Sequence, residues 1–257
     1  MRLEEGAQSP AIHEALAVAA PGRRLDWPDC RNARDLGGLP LAGGKTRSGV
    51  AVRSDNVSNL NQAGVQAMWD YGVTTVIDLR SESEVAKFPS PFAAPDYGPE
   101  YVHVPVLDDE FGRKIADVAA MDERYRLMLD GRQDAFGQVV SAIARVEGPV
   151  VFHCYAGKDR TGLVAAVVLS LAGVPPDAIA ADFAETDVHL AGRYAEWLAS
   201  APPQRLEAMR DELRCPPEWI LGALEHVHRR WGGVEAYIAA AGVPAADVIK
   251  LQDKLAG

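Results

Sequence analysis

Cysteine is scarce in this chain: Cys30, Cys154 and Cys215 are its three, an odd number at wide spacing. Such spacing supplies neither a disulfide framework nor a metal cluster, and it fits a reducing compartment. Long hydrophobic runs are missing too, since none reaches the roughly 18–20 residues of a membrane span. The opening residues, with Glu4 and Glu5, lack the basic-then-apolar order of a secretory signal, so a cytoplasmic location is expected. Positive charge is in deficit: 26 Lys and Arg against 36 Asp and Glu give a net charge of −10, which argues against a nucleic-acid partner. No internal repeat or low-complexity tract appears. What the chain has in quantity is apolar residues, 48% of 257, enough for one large domain or a domain with an appendage.

Against that background one stretch stands out, His153-Cys154-Tyr155-Ala156-Gly157-Lys158-Asp159-Arg160-Thr161-Gly162. Before it, Gly148-Pro149-Val150-Val151-Phe152 reads as a buried strand; after it, Leu163 to Leu171 reads as a buried helix closed by Gly173 and Pro175. The loop therefore sits at a helix N-terminus, where unpaired N–H groups and the positive dipole end favour an anion. A helix N-terminus and a nearby cation favour a thiolate, which makes Cys154 a candidate nucleophile. Arg160 offers a planar fork for two phosphate oxygens, and the loop amides can form a nest around the others. Thr161 can donate its hydroxyl to the thiolate. The predicted reaction is phosphoryl transfer to Cys154 followed by hydrolysis of a cysteinyl-phosphate. No metal or cofactor is expected, because Arg160 and the nest supply the positive charge a metal would bring. An inert core cysteine would not be followed so closely by Lys158, Asp159 and Arg160.

This segment resembles the signature loop of the cysteine-dependent protein tyrosine phosphatases, which reads His-Cys, five residues, Arg, then Ser or Thr. With Gly-Lys-Asp-Arg-Thr-Gly it is most similar to the atypical bacterial tyrosine-protein phosphatases that also accept phosphoinositides. Arg31-Asn32-Ala33-Arg34-Asp35-Leu36-Gly37-Gly38 resembles that family's Arg-Asn-x-Arg-Asp-x-Gly-Gly motif, Val76 to Glu84 resembles its Asp-Leu-Arg strand end, and Arg53-Ser54-Asp55 falls where an Arg-Ser pair is expected. The resemblance spans roughly residues 25–190. It implies a phosphatase fold, and a phosphorylated protein or phosphoinositide as substrate. It also implies a helical C-terminal lid, and export without a cleavable signal is known among the related enzymes. The phosphate-binding set is Tyr155, Ala156, Gly157, Lys158, Asp159 and Arg160. Rhodanese-type sulfur transferases share a cysteine in an anion-cradling loop but do not call for the Arg-Thr-Gly exit. A domain that binds phosphate without turnover is the alternative from another class.

The leaving oxygen needs a proton. Asp159 lies in the loop itself, Asp78 ends a strand whose carboxyl edge faces the same crevice, and Asp108 or Asp109 follows the next strand; the three alternatives stay open here. Lys158 adds a second charge suited to polyanionic inositol phosphates, against the bland reading of a solvated lysine. Arg34, Asp35 and Arg80 are read as braces of the loop, and His153 as a donor to its backbone rather than a base.

Elsewhere, residues 12–19 suggest a short helix, residues 43–53 a hairpin, and residues 58–68 a helix. Strands are predicted at 73–79 and 101–106, and a helical stretch at 121–145. The alternation argues for an α/β fold with a largely parallel central sheet flanked by helices. Beyond Gly173 the pattern is helical: 176–185, 193–200, 205–214, 217–231, 234–241 and 245–255. The expected organisation is one domain over 1–257, with the catalytic core at 25–175 and the helical extension at 176–257, where Trp197 and Trp219 would anchor a lid.

Overall fold

The run Val150–His153 is the middle strand of a five-stranded sheet in a computed structural model of the protein, which describes residues 22–94 and 97–256. In chain order the strands are β1 (Arg34–Asp35), β2 (Pro40–Leu41), β3 (Gly44–Lys45), β4 (Ala51–Ser54), β5 (Thr75–Asp78), β6 (Glu100–His103) and β7 (Val150–His153). The sheet runs β1-β4-β7-β5-β6, and β2 with β3 makes a separate hairpin. Only β1 and β4 pair antiparallel; β4–β7, β7–β5 and β5–β6 are parallel. This is the largely parallel sheet the alternation predicts.

Side chains of successive strand residues leave opposite faces. Val150 and Phe152 enter the larger core, whereas Val151 joins Val52 and Val76 in a smaller cluster with Trp27 and Met68 on the other face. The register sets Ser54 and Asp78 opposite His153, and Asp78 opposite His103. The carboxyl ends of β4, β7 and β5 therefore share one edge. Loops leaving that edge at a central strand converge on one crevice.

The helices are α1 (Gln62–Asp70), α2 (Glu82–Lys87), α3 (Asp109–Ile115), α4 (Met121–Gly131), α5 (Gln133–Arg145), α6 (Asp159–Leu171), α7 (Pro176–Ser200), α8 (Leu206–Leu213), α9 (Pro217–Trp231), α10 (Val234–Ala240) and α11 (Ala245–Ala256). Every residue of α6 from Thr161 to Leu169 is buried, as an all-apolar helix must be. Asn61 caps α1, its side chain accepting from the Gly64 N–H at 3.0 Å.

Several boundaries differ from the sequence reading. The stretch 121–145 breaks at Arg132 (φ −127°, ψ 27°) into α4 and α5. The helices expected at 176–185 and 193–200 are one 25-residue helix, α7. No proline interrupts residues 186–192, and a single glycine, at about 1 kcal/mol, does not break a helix whose Thr186 and Leu190 are buried. The strand expected at 101–106 ends at His103, two residues before Pro105, which has no N–H for a ladder. The helix suggested at 12–19 lies outside the described residues. No helix among the described residues is long and apolar enough to cross a membrane.

Candidate active site

Cys154 leaves the end of β7 and is 2% exposed. The loop after it turns at Gly157, whose φ of +67° and position against Ser54 exclude a side chain: a Cβ there would stand 2.5 Å from the Ser54 carbonyl oxygen. Three successive carbonyls of the loop are tied outward. The Asn56 N–H donates to Tyr155 O at 3.1 Å. Asn32 Nδ2 donates to Ala156 O and Gly157 O, both at 3.1 Å, and Arg53 Nη2 donates to Gly157 O at 2.9 Å. In a trans peptide the carbonyl and the next N–H point opposite ways. The N–H groups of Ala156, Gly157 and Lys158 are thereby turned away from the framework. The first intrahelical bond of α6 runs from the Gly162 N–H to Lys158 O at 2.7 Å, which leaves the N–H groups of residues 159–161 without an intrahelical acceptor. The result is an anion cradle with Cys154 at its base.

A pocket of about 370 Å³ opens over this cradle, lined by Cys154, Tyr155, Ala156, Lys158, Asp159 and Arg160 from the loop. Arg160 holds Glu84 of α2 with both arms of its fork, Nη2 donating to Oε1 at 2.8 Å and Nη1 to Oε2. Burial opposes its charge, but the hydrogen-bonded Glu84 carboxylate, together with negative charge at Cys154 and Asp159, more than offsets that, so the Arg160 pKa lies above its ordinary value. Glu84 in turn is fixed by the capping box of α2, accepting from the Ser81 N–H at 2.9 Å. Thr161 Oγ1 is buried and has no hydrogen-bond partner among the described residues.

Asp159 starts α6 and accepts a hydrogen bond from Tyr125 Oη at 2.6 Å, with Lys158 Nζ 3.1 Å away. Lys158 is 3% exposed, so it is not the solvated lysine of the bland reading. Its ammonium also donates to the Glu212 carbonyl and sits 5.3 Å from the Trp219 ring centroid, which ties the loop to the helical extension.

The other acidic candidates, left open beside Asp159 in the sequence, do not line the pocket. Asp78 is fully buried, gripped by the Arg80 fork and by Tyr101 Oη at 2.9 Å, and is absent from the pocket lining. Burial alone would raise its pKa; charge and hydrogen bonds from the His153 and Arg80 side hold it well below the usual carboxylate range. Since burial also pushes the His153 pKa down, Arg80 is the partner that matters at neutral pH. Asp108 caps α3, accepting from the Phe111 N–H at 2.7 Å, and pairs with Arg132. Asp109 is bound to Ser83, its Oδ1 accepting from Oγ at 2.6 Å. His153 Nδ1 lies 3.1 Å from Cys154 O; a carbonyl only accepts, so that nitrogen carries the proton.

The expected braces need correction. Asp35 holds its own turn through the Gly37 N–H at 2.6 Å and the Gly49 N–H at 2.7 Å, and Arg80 reaches Phe88 O and Ser58, so neither touches the loop. Arg34 acts at one remove, through Asn32. The residues that grip the loop, Asn32 and Arg53, lie in two of the three companion segments, 31–38 and 53–55. The Ser81-x-x-Glu84 capping pattern is a local sign that could have found Glu84, whereas nothing local points to Tyr125.

The far wall of the pocket comes from the helical extension: Tyr194 and Trp197 of α7, with Glu212 and Leu213 at the end of α8. Trp197 stacks on Tyr155 with centroids 6.1 Å apart and planes 23° apart. Trp219, the other expected anchor, packs edge-on against Tyr125 and lines an adjoining cavity of about 760 Å³.

The family model described as the tyrosine phosphatase family matches residues 25–257. The chain is 29% identical over 259 residues to a tyrosine-protein phosphatase of Nostoc commune, covering 95% of this chain and 83% of that one. It is 28% identical over 281 residues to the triple specificity protein phosphatase PtpB of Mycobacterium tuberculosis, covering 90% and 99% respectively.

Proposed function

We propose that this chain, which belongs to the tyrosine phosphatase family, hydrolyses phosphotyrosine in proteins through a cysteinyl-phosphate on Cys154. The observation that carries this reading is the meeting of Cys154, Arg160 and Asp159 in one pocket over a loop whose Tyr155, Ala156 and Gly157 carbonyls are tied outward. Cys154 Sγ attacks phosphorus as the ester P–O bond breaks, and Asp159 gives its proton to the leaving oxygen. Water then attacks the S–P bond, its proton passing to Asp159, and phosphate leaves with the thiolate restored. Arg160 and the amides of residues 155–160 hold the phosphoryl oxygens throughout, a term that favours the transition state because the donors are already oriented. Thr161 Oγ1, which has no other partner among the described residues, stabilises the thiolate. Asp78 serves as the anchor of Arg80, not as the acid.

The chain acts as one domain in which residues 25–175 supply the chemistry, and α7 with α8 forms a lid over the pocket. Its three free cysteines suit the reducing cytoplasm. A second reading, phosphoinositide hydrolysis, is favoured by Lys158 and Arg124, two further cations that line the pocket beside Arg160.

Purified protein without added metal, assayed on a phosphotyrosine peptide, a phosphoserine peptide and phosphoinositides, tests both readings. Release from the phosphotyrosine peptide that falls to background in Cys154→Ser is the expected result. Equal release by wild type and Cys154→Ser would sink the enzyme reading, and release from phosphoinositides alone would leave only the second.

A further inference from the structure

Behind the loop, on the side away from the pocket, lies a buried cluster of charge. Asp182 of α7 accepts from Arg23, from Arg34 Nε at 3.1 Å on Oδ1, and from Arg53 Nη1 at 2.6 Å on Oδ2. Arg34 and Arg53 are fully buried, and so is Asp182. Guanidinium groups are costly to enclose unless their donors are used. Here one arm of each guanidinium leads to the phosphate cradle, while Arg53 Nε has no partner among the described residues. Arg53 Nη2 donates to Gly157 O at 2.9 Å. Arg34 Nη1 donates to Asn32 Oδ1 at 2.5 Å, which orients that amide so that its Nδ2 reaches Ala156 O and Gly157 O. Arg34 Nη2 returns to α7, donating to Asp182 O at 2.7 Å and Thr186 Oγ1 at 3.2 Å. Two chains of hydrogen bonds thus run from one carboxylate to Gly157 O, and the one through Arg34 and Asn32 also reaches Ala156 O.

We infer that Asp182 is a positioning residue for phosphoryl transfer. By fixing Arg53 directly, and Asn32 through Arg34, it keeps the Ala156 and Gly157 carbonyls at the back of the loop and the amides of Gly157 and Lys158 on the substrate side. Asp182 does not line the pocket, so it acts only through these partners. Without its charge Arg34 and Arg53 repel each other across the space it fills, and the arm that holds Gly157 O loses its anchor. The loss falls more on the transition state than on bound phosphate, because developing charge rewards donors fixed in advance. The inference rests on the phosphatase reading above.

Asp182→Asn keeps the shape and removes the charge. kcat and KM for p-nitrophenyl phosphate and the Ki of inorganic phosphate are measured at a temperature where circular dichroism shows the variant folded. The expected result is a fall in kcat of at least about tenfold, with a smaller rise in phosphate Ki. A brace of the fold alone would lower the melting temperature and leave both constants at wild-type values. Wild-type kcat and Ki in folded Asp182→Asn therefore overturn the inference. Should that variant not fold, Arg53→Lys decides: it keeps a cation beside Asp182 but cannot span to Gly157 O, and it must show the same split. Where both singles fold, the double variant is expected to be scarcely worse than the worse single, and additive losses would mean that Asp182 does not work through Arg53. A wild type that neither releases phosphate nor is inhibited by it overturns the phosphatase reading and this inference together. An active wild type with an unaltered Asp182→Asn overturns the inference alone.

Discussion

The floor and the wall of the pocket are built in opposite ways. The floor, from Cys154 to Thr161, is held by hydrogen bonds that Asn32 and Arg53 donate to it and that its own Arg160 donates to Glu84, each of these three outer side chains itself fixed by a further partner. The α8 side of the wall is held by little. α8 buries no residue and has no side-chain cap, and it meets the floor through the Lys158 bond to Glu212 O, while Trp197 of the better-buried α7 stacks on Tyr155. Rigid donors suit a transition state whose charge must be met at fixed points, whereas a loosely held wall suits admission and release. Chemistry and access are thereby assigned to different parts of one chain.

The largest break in the comparison is expected at Asp159. Asp159→Asn keeps the hydrogen bond from Tyr125 but cannot donate a carboxylic proton, so kcat should fall about 10²–10⁴-fold on phosphotyrosine. A pH–rate profile is the check. An acid works only while protonated, so its titration makes the basic limb, and the variant should lose that limb. A variant that keeps the limb would return the role to another group.

Next come two glycines, one on each side. Gly157→Ala forces a Cβ to 2.5 Å from Ser54 O at a φ of +67°, and should destabilise the protein by more than about 1 kcal/mol and disturb the loop. Gly192→Ala, inside α7, brings a Cβ to 3.3 Å from the end of the flexible Arg31 side chain, and should be neutral or stabilising by up to about 1 kcal/mol. Urea unfolding of both variants compares them directly. Similar losses at the two sites would erase the distinction between floor and wall.

A smaller effect distinguishes the middle of α7 by pH. Burial, helped by the Arg34 and Arg24 charges, pushes the His189 pKa down to about 3. The ring is therefore neutral in the fold, while the unfolded chain takes up a proton near pH 6.5. Between those values the unfolded state binds more protons, so stability rises with pH and is lost as pH falls from about 6.5 toward 3. One proton gives at most about 1.4 kcal/mol per pH unit, and water at the half-buried ring reduces that. Denaturation of wild type and His189→Gln at several pH values in that window should show the flatter dependence in the variant.

How much of this was legible in the sequence follows the same division. Cys154, Arg160 and the helix after them are contiguous, and a strand, loop and helix order is a local matter. α9 begins at Pro217 and ends before Gly232, so its bounds could be read from proline and glycine alone. The acid could not be chosen, because Asp159, Asp78 and Asp108 differ only in partners brought by the fold: Tyr125, Arg80 and Arg132. Asp182 carries no local sign at all, since its meaning lies in Arg34 and Arg53, which are 148 and 129 positions away. The break at Arg132 and the continuity of α7 were misread because neither has a proline or a paired glycine to mark it.

The smallest expected effect probes the wall alone. Trp197 covers Tyr155, and Cys154 below is 2% exposed. An aromatic pair contributes about 0.5–1.5 kcal/mol beyond its buried area, which corresponds to roughly two- to tenfold in the population of an opened wall. Trp197→Ala should therefore raise the rate at which iodoacetamide alkylates Cys154 by about that factor. kcat on p-nitrophenyl phosphate should stay within about twofold, because the floor keeps Asn32, Arg53 and Glu84. Phosphate added during alkylation should protect both proteins, since the cradle is intact in each. If alkylation is no faster, Trp197 does not hold the wall closed, and access is controlled from the Lys158 side, where the ammonium joins Glu212 O and the Trp219 ring. If kcat falls in step with the faster alkylation, the wall takes part in ordering the floor, and the separation of chemistry from access fails at that contact.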